Sequence, residues 1–377
     1  MNLEVKFIEG EKTMRKLNVD RPLAITMWDF SWLERRWPGA GYEDWDKVLD
    51  ELKERGYDAV RIDAYPHLLA QDPHKEWTLI PFWNLQTWGS QSVNKVIVYD
   101  NLKEFLEKCK QHELKVALST WFREDEDKTA LKIMTPEDHG EVWKITLDYI
   151  KEWGLIDNIL YVDLCNEFPL TCWAPFLENV YGKSEFVRDS KEIVNWMKQS
   201  VEYLRQYYKD IPLCYSFLIP YDNSEEDVSY LDVLEPHIWM AQSSNFYEIV
   251  GYNYERFDST GYDNLAKYGE KIYRANPQYW QSCLADNIKR VAEWSRKSGK
   301  PIITTECWGI VDYKDWPLLN WEWVKELCEF GVKEAINTRR WIAIATSNFC
   351  GPQFHGMWRD IEWHRKLTDL IHESKFN

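Results

Sequence analysis

Several features that would assign this chain quickly are missing from it, and each absence removes a class of function. No glycine-rich phosphate turn follows the first strand-like run, which disfavours an open doubly wound nucleotide-binding sheet. No cluster of Lys and Arg stands out, and the net charge is −16, so a polyanionic partner such as nucleic acid has nothing to displace its counterions. The eight cysteines lack paired short spacings, which argues against a zinc site or a disulfide framework and for buried free thiols in a reducing compartment. The two longest uncharged stretches, 77–94 and 341–358, contain Pro, Gly and several amides and make poor membrane spans. The first ten residues carry no apolar h-region, so the expectation is a soluble, cytoplasmic protein without a membrane partner. Linkers, repeats and low-complexity tracts are also missing, and nothing forces a second domain.

What is present is alternation. Short β-branched runs at Leu23–Trp28, Ala59–Ile62, Lys115–Thr120, Ile159–Leu164, Leu213–Leu218, Val233–Trp239, Pro301–Thr305 and Trp341–Thr346 read as strands. Amphipathic helices fall between them. Trp45, Val48, Leu49 and Leu52 make one stripe that closes at Gly56, and Leu102, Phe105, Leu106 and Cys109 make a second after a capping Asp100. Thr135, Pro136, Glu137 and Asp138 open a third with a cap, a proline at the first position and acids in the first turn. Ile193, Trp196, Met197, Val201 and Leu204 mark a fourth, and Ile288, Val291, Ala292 and Trp294 a later one that ends near Gly299. Eight strand–helix units predict an α/β fold, a (β/α)8 TIM barrel forming a single domain over 1–377. Such a barrel needs about 250 residues, which leaves roughly 120 for an N-terminal extension of about 1–20 and loop insertions at about 65–99 and 240–279, both at the C-terminal face.

Two of the strand-like runs stop at a carboxylate. Ile159–Leu164 is followed by Asn166 and Glu167, and Pro301–Thr305 by Glu306, which places both acids at the mouth of the sheet. Cleavage of a glycosidic bond with retention needs two carboxyls about 5 to 5.5 Å apart, one protonated and one ionised. The chain also holds 22 Trp and 21 Tyr, and flat sugar faces stack on such rings while the indole N–H stays free for a hydroxyl. The expected mouth loops carry Trp28, Trp32, Trp37, Trp77, Trp83, Trp88, Trp173, Trp308 and Trp316, which suggests a pocket rather than an open groove.

These motifs resemble glycoside hydrolase clan A, and within it the family 5, cellulase-like proteins. Asn166–Glu167 matches the strand-four acid/base motif, Thr305–Glu306 with Gly309 beyond it matches the strand-seven nucleophile, and Arg61 in the second strand matches the clan's arginine. The resemblance implies that Glu167 is the general acid/base and Glu306 the nucleophile of a retaining glycosidase acting on β-linked short oligosaccharides or glycosides. It implies that Asn166 holds the 2-hydroxyl and that Arg61, beneath Glu306, keeps that carboxylate ionised. His237 falls at the family's His-x-Tyr pair, but Trp239 stands where the tyrosine would support the nucleophile, and Tyr215 or Tyr221 are possible substitutes. Strand three offers Trp121 near its end in place of a histidine, and strand eight ends near Asn348 unless Trp358 folds back over the mouth. The expected substrate-binding set is therefore Asn166, Arg61, His237, Trp239, Trp28, Trp121, Trp308 and Asn348, with no metal and no cofactor.

Bland readings compete at several positions. Arg61 alone is equally a barrel-layer salt bridge, His237 equally a structural histidine, and Asp63 and Asp163 are read as loop supports or arginine partners rather than catalysts. His67 and His74 lack a carboxylate or thiol at ligand spacing. Trp45, Trp143, Trp196 and Trp294 lie on helical stripes and are expected in the core. The departures at Trp239 and strand three keep a second function open: a carbohydrate-binding barrel with little or no activity.

Overall fold

The computed structural model describes residues 17, 19–82, 90–218, 226–253, 258–313 and 319–377. Eight parallel strands form the frame: β1 (Leu23–Met27), β2 (Ala59–Asp63), β3 (Lys115–Ser119), β4 (Ile159–Asp163), β5 (Leu213–Cys214, resumed at Phe217–Leu218), β6 (Pro236–Trp239), β7 (Ile302–Thr304, resumed at Cys307–Trp308) and β8 (Trp341–Ala345). Seven of them follow one another as β7-β8-β1-β2-β3-β4-β5, and β6 pairs with the outer pieces of β5 and β7. A parallel bridge from Leu234 to Ile302 completes the ring. The result is a (β/α)8 TIM barrel.

The sequence dictates this because its strands are apolar on both faces, as parallel strands covered by helices must be. Inward residues Ile25, Ala59, Ala117, Tyr161, Cys214, Ile303 and Ala343 form their own buried cluster inside the barrel. A larger cluster fills the space between strands and helices and takes in Trp45, Trp143, Trp196 and Trp294, the tryptophans expected there from periodicity. The helix ends follow local chemistry. Asp44 caps Trp45–Glu54, and Thr135 with Asp138 makes a full capping box at Pro136–Glu152. Gly299, at φ 72°, terminates Pro277–Ser298 in the left-handed region glycine tolerates.

Three expectations shift. Helix Val98–Gln111 begins before Asp100, so that acid lies in the first turn beside the helix dipole rather than at the cap. β5 is not one run: Tyr215 and Ser216 leave the ladder, and the Ser216 amide and hydroxyl bond Asp163 at 2.8 Å each. β6 begins at Pro236 rather than Val233, since the preceding segment carries the bridging Leu234 and the buried Glu235.

Two long segments follow the C-terminal ends of β2 and β6. The first holds helix Pro66–Gln71 and an antiparallel hairpin of Trp77–Leu79 with Asn94–Val96, and the second holds helices Phe246–Val250 and Thr260–Ala275. All eight cysteines are free; six are buried, but Cys172 is exposed and Cys283 partly so, which departs from uniformly buried thiols. Among the described residues no helix is long and apolar enough to cross a membrane.

Helix Glu322–Thr338 reaches the barrel through Gly331, where an added Cβ would lie 2.6 Å from the Trp308 ring. Gly331→Ala should therefore destabilise the fold by about 1–3 kcal/mol, the usual cost of overpacking, visible as a lowered midpoint in thermal or urea unfolding. An unchanged midpoint would mean that the helix can move off the barrel at no cost.

Candidate active site

The site is built upward from Arg61 on β2. Its side chain is fully buried, and its Nη1 donates to Glu306 Oε1 at 3.1 Å while Nη2 donates to Asn166 Oδ1 at 2.7 Å and to Asp163 Oδ2 at 2.5 Å. Nε lies 3.3 Å from Glu235 Oε1, and the guanidinium carbon sits 4.8 Å from the centre of the Trp121 ring. One cation thus ties together residues from β4, β6 and β7 and rests on an aromatic from β3.

Asp163 ends β4 and accepts from Arg61, the Ser119 hydroxyl and Ser216, which makes it a structural acid, as read from sequence. Three residues later the chain turns so that Asn166 and Glu167 face the mouth. Glu167 has φ 46°, a left-handed conformation unusual for a glutamate and of the kind that persists where surroundings over-determine it. Its amide donates to the Ser216 hydroxyl at 2.9 Å, its Oε2 accepts from the Trp173 indole at 3.2 Å, and its Oε1 lies 3.0 Å from His237 Nδ1.

Glu306 occupies the break in β7. The same His237 Nδ1 is 3.6 Å from Glu306 Oε2, so the imidazole stands between the two acids. One donor atom from each of Glu167, His237 and Glu306 lies within 4.8 Å of the others. Such a trio has the spacing to grip a divalent ion. Among the described residues the other group of close donors, Asp163, Cys214 and Glu235, already lies about the Arg61 charge.

Burial pushes both Glu167 and Glu306 up to about 7. For Glu306 this reverses the expectation from Arg61: the guanidinium and His237 pull its pKa down, but desolvation and the nearby Glu167 outweigh them. Two acids this close lose their protons as a pair. The direct Arg61 contact favours the charged form of Glu306, whereas the described partners of the Glu167 carboxyl are an indole N–H and an imidazole. His237 is held below its ordinary pKa by burial and is neutral at pH 7, so the Nδ1–H tautomer is the one that donates to a carboxylate.

These groups open into a cavity of about 350 Å3, within the ~300–1,000 Å3 of small-ligand pockets. Asn166, Glu167, Glu306, Trp121, Trp239 and Asn348 line it together with Phe30, Phe82 and Trp173, while Arg61 and His237 sit beneath. Two members of the expected set do not reach it. Trp28 follows cavity-lining Met27 by one residue, so strand alternation turns it outward, where it donates to the Cys350 carbonyl and packs on Tyr42 and Phe105. Trp308 donates to the Ala345 carbonyl and faces Gly331; the ladder break at Thr305 and Glu306 cancels period-two counting from the glutamate.

Other mouth expectations also change. Trp32 and Trp77 are buried, Trp32 donating to the Asp63 carbonyl, and Trp37 lies at the surface with Arg35 against it. Trp83, Trp88, Trp316 and Tyr221 lie outside the described residues. Tyr215 cannot support Glu306, since its hydroxyl is engaged with Ser200 and His139. Trp358 does not fold over the mouth; it lies against Arg55 and donates to Glu51 on the barrel's flank. Asp63 supports a loop by accepting the Tyr65 and Trp121 amides.

Sequence reading missed Asp29 and Asp312, which also line the cavity, and Glu235 beneath it. Asp29 follows the first strand directly, and Glu235 is a charge inside an apolar run; both positions carried a signal. The loop that bears Asp312 carried none.

The profile of the sugar-binding cellulase-like family matches residues 25–372. The chain belongs to the cellulase-like family. A crystal structure of a candidate glycoside hydrolase from Parabacteroides distasonis is 54% identical, with 95% of each chain covered and a TM-score of 0.92. The endo-β-1,4-mannanase of Thermotoga petrophila is similar in fold at 11% identity, over 94% of this chain and 78% of that one, with a TM-score of 0.53. The cellulose synthase subunit Z of Clostridioides difficile gives 12% identity, 93% and 100% coverage and a TM-score of 0.50. A search of curated proteins finds no match. The cellulase-like chain thus has a glycoside-hydrolase fold.

The raised pKa of Glu167 has a consequence for stability. A carboxyl that is pushed from 4.5 to about 7 on folding favours the folded state fully below pH 4.5 and loses that contribution as pH rises through about 7. Glu167→Gln removes the penalty, so the variant should be more stable than the parent at pH 8, by up to about 3 kcal/mol, and not at pH 4.5. Melting curves at the two pH values check this, and an equal change at both would contradict the burial argument.

Proposed function

We propose that this cellulase-like protein is a single-domain retaining β-glycosidase that acts on short oligosaccharides or glycosides by double displacement. The observation that carries the reading is the approach of the Glu167 and Glu306 carboxyl oxygens to within 4.8 Å, which suits the ~5–5.5 Å of a retaining pair and leaves no room for the water of an inverting one at ~6.5–9.5 Å.

The chemistry follows from the surroundings of each acid. Glu306, ionised beside Arg61, attacks the anomeric carbon and forms a glycosyl ester as the bond to the leaving oxygen breaks. Glu167 donates its proton to that oxygen. Glu167, now a carboxylate, takes a proton from water, the water's oxygen attacks the anomeric carbon, and Glu306 departs with its electron pair restored. Asn166 has its oxygen committed to Arg61, so its amide N–H2 is the group offered to the 2-hydroxyl. Trp121, Trp173 and Trp239 supply the aromatic walls against which a sugar ring packs.

A second reading, a sugar-binding barrel with little turnover, has one observation in its favour: among the described residues no hydroxyl reaches Glu306, whose side-chain hydrogen bond comes from Arg61 alone. Aryl β-glycosides separate the two. Glu306→Gln should lower kcat by at least about 10^3-fold while sugar binding persists, and NMR of the first-formed product should show the anomeric configuration of the substrate. Undiminished hydrolysis by the variant, or an inverted product, refutes the assignment. Because Glu167 must be protonated to act, kcat/KM of the parent should fall as pH rises past about 7 and fall again in acid, where Glu306 takes a proton. A flat profile to pH 9 would remove Glu167 as the acid.

A further inference from the structure

Two carboxyls in the cavity take no part in the bond-breaking step. Asp29 follows β1 at φ 42°, with one oxygen fixed by the Ser31 amide. Asp312 lies beyond β7, where its Oδ2 accepts from the Tyr252 hydroxyl at 2.6 Å and the Tyr262 hydroxyl adds a second bond. Both are buried and both line the pocket. Burial pushes each up to about 7, outweighing the hydrogen bonds that favour the charged form.

Acidic residues alone do not define a ligand. Two other side chains do so independently. Asn348 Oδ1 and Trp239 Nε1 are buried polar atoms without a hydrogen-bond partner, on residues only 2% and 1% exposed that line the same cavity. A buried orphan of this kind is costly unless something bonds it. The wall formed by Asp29, Asp312 and Asn348 is rich in acceptors, with Trp239 as a donor, and among the described lining residues there is no Lys, Arg or His.

Position sets which part of the substrate meets this wall. Glu306, Asp312, Asn348 and Asp29 come from the consecutive strand ends of β7, β8 and β1, whereas Glu167 rises from β4 on the other side. Glu167 protonates the leaving oxygen, so the departing group lies on its side and the retained sugar lies toward the acceptors. We propose that this wall selects an uncharged glycone, whose hydroxyls donate to Asp29, Asp312 and Asn348 and accept from Trp239, and that it rejects uronic acid and sulfated sugars. The placement of the glycone rests on the hydrolase reading above; the charge selectivity does not. Above pH 7 a ligand carboxylate would meet two buried, ionised acids with no cation among the described lining residues to offset them, since Arg35, which lowers the Asp29 pKa, does not line the cavity; that is a like-charge contact of several kcal/mol.

The test uses the Glu306→Gln protein in calorimetric titrations with the 4-nitrophenyl β-D-glucoside, galactoside, mannoside and glucuronide, and the parent protein in turnover assays with the same four. At least one neutral glycoside should bind, with the glucuronide about 100-fold weaker. In that background Asp29→Asn and Asp312→Asn, each checked for an unchanged melting profile, should weaken neutral binding about 10- to 100-fold, as loss of a hydrogen bond to a charged group does. They should also narrow the gap to the glucuronide, which a merely structural role would not. Equal or tighter glucuronide binding, failure of all three neutral glycosides to bind, or an unchanged gap in both folded variants overturns the proposal. Selective binding without hydrolysis by the parent supports it and removes only the hydrolase reading, whereas hydrolysis of the glucuronide at the neutral rate leaves that reading and overturns the selectivity.

Discussion

A single buried guanidinium organises the mouth of this barrel. Arg61 has no exposed surface, yet it touches Glu306, Asn166, Asp163 and Glu235. Removing such a cation from water costs several kcal/mol, which only close carboxylates and well-aligned hydrogen bonds offset. Three acids and an amide must therefore converge on one point, and the strand ends that carry them are held in register as a result. The barrel would close around an apolar plug just as well; the arginine makes it close with its acids aimed at one cavity.

Burial then gives two chemically identical side chains different parts. Glu167 and Glu306 are both driven toward protonation by loss of water, and each opposes the other's charge. The asymmetry comes from what lies beside them. Glu306 has Arg61 at its oxygen, while Glu167 has an indole N–H and a neutral imidazole. His237 reaches toward both, so a shift in either acid is felt by the other through one ring.

The limits of legibility have physical causes. Glu167 and Glu306 were readable because an apolar β-branched run that ends in an acid has few meanings in a parallel sheet. Trp28 was misplaced although the pleat of β1 holds, because the alternation that puts Met27 on the cavity turns the next residue outward; Trp308 was misplaced because β7 is broken at Thr305 and Glu306, which cancels counting along it. Asp100 was taken for a cap because the apolar stripe starts after it, although the helix begins earlier on backbone hydrogen bonds that leave no trace in residue type. Tyr215 lies in the break of β5 and turns away to a serine and a histidine from the outer helices.

The chain by itself determined the barrel, the count and order of its strands, and the identity of the two acids at its mouth, since these follow from periodicity, burial on both strand faces and where apolar runs stop. Tertiary structure alone decided that Arg61 meets Glu306, Asp163, Asn166 and Glu235 together, that His237 bridges the acids, and that Asp29 and Asp312 share their cavity. The reason is distance: these contacts join residues many tens to hundreds of positions apart, and only ring closure brings their side chains within a few ångströms.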